Sequence, residues 1–213
     1  NKKSSSQILK KFGKAKLITT TNVFAHTGEL KEFISGVNKT LSNNGIFVVE
    51  NHYLKDIVEK VQFDSFYHEH LRTYSLKSLI KLLKYYKLNI VDAYTTERYN
   101  GNIQAHFSKN KSLKITKNIK LIMQKENNAK LDHLNTYVKF SNKVEKAKTD
   151  LFNYINKNSN KTIIGKSYPA RASVILNYFS FLKDKMKFIA EQPTSLKLNH
   201  YIAGTNIKIV DSK

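Results

Sequence analysis

Ile18-Thr19-Thr20-Thr21-Asn22-Val23-Phe24-Ala25-His26 begins a segment, residues 18–49, with the pattern of an α/β unit. Its β-branched start predicts a strand that ends at Asn22 and gives way to a loop. Leu30, Phe33, Ile34, Val37 and Leu41 then recur at helical spacing, with Thr27 as the expected N-cap and Asn43-Asn44-Gly45 as the expected helix end. Residues 46–49 form a second buried strand. Strand, helix, turn, strand is half of a doubly wound α/β sheet. Ligands in such sheets bind beyond the carboxyl ends of the strands, so the corner at residues 22–26 is placed to meet one.

Downstream, Phe63-Asp64-Ser65-Phe66-Tyr67-His68-Glu69-His70 puts a phenol, two imidazoles and a carboxylate in four consecutive positions. In a strand Tyr67 and Glu69 share one face and His68 and His70 the other; on a helix or turn Tyr67 and His70 meet at the i, i+3 spacing. Either arrangement lets a neighbour orient an imidazole, which a general base working near neutral pH requires. The same residues also read as a pair of surface histidines ahead of a helix.

That helix is expected from Ser75, its cap, with Leu76, Leu79, Ile80, Leu83 and Tyr86 inward and Lys77, Lys81 and Lys84 outward. A basic amphipathic helix can lie on a membrane, but a solvated outer helix is the plainer reading. Residues 88–95 and 103–107 read as strands around the Asn100-Gly101 turn signal. The lysine- and asparagine-rich residues 109–128 mark a domain boundary, giving domains at 1–109 and 110–213. Residues 131–155 are expected as connecting helices. Thr162-Ile163-Ile164-Gly165 begins a second strand-turn-helix unit, whose turn is suited to a phosphate, with Arg171 as a cationic partner.

The chain has 213 residues, no cysteine and a net charge of +21. Disulfides therefore play no part. No uninterrupted apolar stretch reaches the roughly 20 residues needed to cross a bilayer, so no membrane association and a cytoplasmic location are expected. Lysine is spread through almost every segment instead of forming one basic arm, which argues against a nucleic-acid partner while favouring an anionic ligand.

Tyr67-His68-Glu69-His70, with Phe63-Asp64 before it and Tyr74-Ser75-Leu76 after, resembles the signature of S-adenosylmethionine-dependent sugar C-methyltransferases. Those proteins join a small zinc-binding domain, a class I methyltransferase domain and a C-terminal Rossmann-like domain. Other landmarks follow in the same order: the segment through Asn22-Val23-Phe24-Ala25-His26, the strand Gly45-Ile46-Phe47-Val48-Val49-Glu50, Tyr99-Asn100-Gly101-Asn102-Ile103-Gln104, Ile164-Gly165-Lys166-Ser167-Tyr168-Pro169-Ala170-Arg171, and Ala203-Gly204-Thr205-Asn206-Ile207. The resemblance implies the C-terminal half of a class I (Rossmann-like) methyltransferase domain followed by a partial second Rossmann-like domain. The glycine-rich cofactor loop and the zinc-binding cysteines have no counterpart. A piece of a longer protein is thus expected, or a split protein whose cofactor half lies on another chain.

The resemblance further implies His70 as general base, assisted by Glu69 and Tyr67. It implies Asn22, Val23, Phe24 and His26 at the S-adenosylmethionine site, and Tyr168, Arg171 and Asn177 at a nucleotide-diphosphate sugar. His68 is assigned a structural role. Zinc belongs only to the domain not represented here. Chelation by His68, His70 and another histidine is the metal alternative, and the resemblance argues against it. Tyr99, Gln104, Glu191 and Asn206 depart from the residues usual at their positions. Two other readings remain from the sequence, a noncatalytic nucleotide-sugar binding fragment and a basic nucleic-acid-binding protein.

Overall fold

The computed structural model describes residues 2–213, with side chains from Ser4 onward. Two compact units result: the first runs to Gln62 and resumes over His68–Val138, and the second holds Phe63–Tyr67 and Lys139–Lys213. Both are α/β, as the alternation of strand and helix patterns predicts.

In the first unit, α1 (Lys2–Phe12) precedes β1 (Ala15–Thr21), α2 (Leu30–Thr40) and β2 (Leu41–His52). After α3 (Leu54–Glu59) come α4 (Leu76–Tyr85), β3 (Asn89–Thr96), β4 (Asn102–Ser108) and α5 (Lys117–Asn128). The sheet order is β1-β2-β4-β3. β1 and β2 run parallel, with Ile18 opposite Phe47 and Thr21 opposite Glu50, while β4 inserts antiparallel between β2 and β3.

Phe47 and Val49 on β2 share a face with Ile103, Ala105 and Phe107 on β4, and all five are buried. Leu76, Leu79 and Leu83 of α4 and Ile34 of α2 join this core without exposed surface. Each such side chain contributes about 1.5–3 kcal/mol by leaving water. Ser75 caps α4 as expected: its hydroxyl accepts from Ser78 N–H at 3.1 Å, and Ser78 Oγ accepts from Ser75 N–H at 3.0 Å.

The turns differ from the sequence expectation in two places. Thr27 does not cap α2, because its hydroxyl donates back to Val23 O at 3.0 Å and Glu29 occupies the N-cap position. Asn43-Asn44-Gly45 does not end the helix, which stops at Thr40; these residues form an irregularity inside β2, where Ala15 opposes Leu41 but Leu17 opposes Ile46. A Cβ on Gly45 would lie 2.7 Å from Leu41 Cδ1, so the close approach there requires glycine. The connection between β3 and β4 lies where the sequence places it, around Asn100-Gly101, with Tyr99, Asn100 and Gly101 all at positive φ.

Contacts divide the chain at residue 138, whereas the sequence division fell at residue 109. The cause lies in α5. Buried Glu126 accepts from the backbone N–H groups of Leu76 at 2.5 Å and Lys77 at 3.1 Å, so α5 caps the start of α4. The adjacent Tyr53 phenol is pushed up by burial and by the Glu126 carboxylate.

The second unit is built on the part of α6 (Leu134–Lys157, a single long helix) from Lys139 onward and three parallel strands, β5 (Ile163–Lys166), β6 (Met186–Glu191) and β7 (Lys208–Asp211), in the order β5-β6-β7. Between β5 and β6 lie α7 (Ala172–Tyr178) and α8 (Leu182–Lys185). Leu176, Phe179, Ile189 and Ile209 are buried in this unit. Phe63 joins it, its ring 5.2 Å from that of Phe179. Among the described residues of both units, no helix is long and apolar enough to cross a membrane.

Candidate active site

The corner after β1 is held in shape by polar bonds. Asn22 adopts φ 52°, its N–H donates to Glu50 O at 2.8 Å, and Asn102 Nδ2 bridges Asn22 Oδ1 at 3.4 Å and Glu50 Oε1 at 2.9 Å. Gln104 Nε2 completes the hold on buried Glu50 at 2.9 Å. The chain then turns through a short 3-10 helix, Phe24–His26. Phe24 is fully buried, with ring neighbours Phe33, Phe47 and Tyr74 at 5.8, 6.3 and 5.5 Å, so it anchors the corner. Val23 and His26 remain exposed.

Beside this corner, at the carboxyl ends of β1 and β2, lies a small cleft. Its walls include Asn22 and Ala25 from the corner, Asn51 and His52 from the end of β2, and His70 and Arg72 from the turn ahead of α4. His70 is half-buried and stands edge to face against two other imidazoles, His26 at 4.7 Å and His52 at 5.2 Å between centroids. His52 in turn meets the Tyr99 ring at 5.8 Å. Among the described residues no group of three or more His, Cys, Asp or Glu side chains is arranged to hold a metal ion. Arg72 donates to Thr27 O at 2.6 Å and is thereby tied to the corner.

The fold thus brings together His70, Asn22 and His26 of the sequence candidates. Glu69 Oε1 stands 3.9 Å from His68 Nε2, with both side chains exposed. Tyr67 belongs to the segment counted with the second unit. His52 and Asn51 escaped the sequence reading; the signal available was their position at the carboxyl end of a parallel strand.

In the second unit the turn after β5 is already engaged. Glu191, at the end of β6, accepts from Tyr168 N–H at 3.0 Å and Gln192 N–H at 3.1 Å, and these bonds hold its carboxyl below the usual range. One of the turn's backbone N–H groups, that of Tyr168, therefore holds an internal carboxylate. Gly165 lies within β5, where a Cβ would stand 2.7 Å from Ile189 Cγ1, so packing explains that glycine. Arg171 pairs with Asp64 at 2.8 Å, and Asn177 bonds Ser173 O at 2.8 Å and accepts from Lys183 at 2.9 Å.

Residues 99–213 match the family described as the C-methyltransferase C-terminal domain, more than half of the chain. The chain belongs to that family. It is also similar to C-methyltransferase NovU of Streptomyces niveus, 25% identical over 206 residues, an alignment that covers 95% of this chain and 49% of that protein. The chain thus spans about half the length of this relative.

Proposed function

We propose that this chain takes part in S-adenosylmethionine-dependent methylation of a carbon atom in a nucleotide-linked keto-sugar, with His70 as the general base. The observation that carries this reading is the position of His70 in the cleft at the carboxyl ends of β1 and β2, flanked by His26 and His52. Membership of a C-methyltransferase family supports it.

Carbon becomes a nucleophile when a C–H beside a carbonyl loses its proton. His70 takes that proton; the C–H electron pair forms the C=C bond of an enolate, and the carbonyl oxygen becomes the oxyanion. S-adenosylmethionine supplies an electrophilic methyl group. A base of this kind contributes about 10²–10⁴-fold in rate. Reacting atoms must also be held about 3–3.5 Å apart, so the rigid corner at Asn22 matters as much as the base.

The corner residues fit one wall of a donor site and no more. Asn22 has its N–H and Oδ1 engaged by Glu50 and Asn102, Phe24 is in the core, and exposed Val23 and His26 remain to face a ligand.

Tyr67 is proposed to hydrogen-bond the sugar or the developing oxyanion, and Glu69 to share proton traffic. Tyr168, Arg171 and Asn177 are proposed as nucleotide contacts by position, and the setting as cytoplasmic. The test is incubation of the intact protein with S-adenosylmethionine and nucleoside-diphosphate keto-sugars. A product with its new methyl on carbon is expected; a methyl on oxygen or nitrogen, or none, contradicts the reading.

A further inference from the structure

Asn51 is 1% exposed, lines the His70 cleft, and neither its Oδ1 nor its Nδ2 meets a hydrogen-bond partner among the described residues. A buried polar atom left unpaired costs about 1–3 kcal/mol, and native structures seldom keep one without a reason. Packing offers none here, because an apolar side chain of similar size would fill the same space without that cost.

Two other polar walls of the cleft are committed. Asn22 Oδ1 accepts from Asn102 at 3.4 Å, and the Arg72 guanidinium points at the carbonyls of Thr27 and Gly28, at 2.6 and 3.5 Å. With its cation turned to backbone oxygens, the cleft is not built for a phosphate. With about 10 Å³ of room, the cleft admits one water-sized group such as a hydroxyl and not a whole nucleotide sugar.

We propose that Asn51 is a specificity-determining residue whose carboxamide receives a hydroxyl group of the sugar ring, on a carbon next to the one that loses its proton. This rests on the keto-sugar reading above. The chemistry selects a hydroxyl because an amide presents an acceptor and a donor side by side. A hydroxyl donates to Oδ1 and accepts from Nδ2, satisfying both atoms. A carbonyl oxygen satisfies only Nδ2, a carboxylate or phosphate oxygen sets negative charge against Oδ1, and a methylene satisfies neither. The hydroxyl also fixes the ring's rotation, which aims one C–H at His70.

The experiment compares binding, by calorimetry on the intact protein, of two nucleoside-diphosphate keto-sugars that differ only in that hydroxyl. Two hydrogen bonds predict about 10–10²-fold tighter binding of the hydroxylated compound. Asn51→Leu brings the ratio close to one, and thermal unfolding shows the variant folded with a midpoint equal to or above the parent's. Asn51→Asp, of the same shape but without the donor, lowers the ratio and serves if the leucine variant does not fold. An unchanged ratio in either folded variant, no preference in the parent, or no binding of either compound overturns the proposal. Binding with the expected preference but no methylation of carbon overturns the catalytic reading and leaves the role of Asn51 standing.

Discussion

The imidazole of His70 stands edge to face on that of His26, with centroids 4.7 Å apart and ring planes at 73°. One ring comes from the corner after β1, which the Asn22, Glu50 and Asn102 bonds hold in place, and the other from the turn ahead of α4. Fixing the first therefore limits the freedom of the second. His26→Ala removes that flank. The expected result is a fall in kcat of about 10²-fold, the scale of a misplaced catalytic group, with a smaller change in KM. Steady-state kinetics of C-methylation check it, and a change in KM alone would assign His26 to binding.

Glu126 joins α5 to α4 through the N–H groups of Leu76 and Lys77. Glu126→Ala leaves the N–H groups of buried Leu76 and of exposed Lys77 without that acceptor. A loss of about 2 kcal/mol is expected, lowering the unfolding midpoint by roughly 4–8 °C. Scanning calorimetry reads it directly, and an unchanged midpoint would show that α5 does not secure the start of α4.

Gly101 has φ 134°, and a Cβ there would lie 2.2 Å from Asp56 Oδ2. Gly13 also has positive φ, 71°, but nothing stands within 4 Å of its Cβ position. Gly13→Ala should cost about 1 kcal/mol from backbone conformation alone, and Gly101→Ala about 3 kcal/mol or more because Asp56 must also move. Urea unfolding of the two variants provides the comparison. Equal costs would mean that the contact with Asp56 is easily relieved.

Acid should weaken the first unit in two stages. Burial holds the His106 imidazole below its ordinary value, although the Asp92 carboxylate pulls the other way. Burial also raises Asp92, but hydrogen bonds from Thr116, Ala93 N–H and Asn118 outweigh it and hold that carboxyl low. The unfolded chain takes up the His106 proton first, so stability is lost as pH falls from about 6.5 toward the folded value. The Asp92 contribution is present above its unfolded value near 4 and is lost as pH falls through the folded one. His106→Gln should flatten the upper stage and leave the lower one. Unfolding midpoints from pH 8 to pH 3 check both, and an unchanged upper stage would exclude His106.

What was legible in the sequence was local. The amphipathic stripe and Ser75 cap of α4 depend on residues within one turn of each other, as do the apolar runs of β1, β2 and β4. Features set by distant partners were hidden. Glu126 looks like a surface charge until α4 places two N–H groups against it. Thr27 has the chemistry of a cap, yet Val23 O captures its hydroxyl first. In the site, the Tyr67 to His70 cluster drew attention by composition, whereas Asn51 and His52 follow an apolar strand and carry no spacing signal. Only the sheet, by ending β2 beside the corner after β1, brings them to His70.

Proton removal by His70 can be measured apart from methyl transfer. The intact protein is held in D₂O with a nucleoside-diphosphate keto-sugar and no methyl donor, and deuterium entering the carbon beside the carbonyl is followed by NMR. Exchange at one ring carbon is expected, slowed about 10²–10⁴-fold in His70→Ala. Exchange at the parent's rate in that variant would contradict the assignment of His70 as the base.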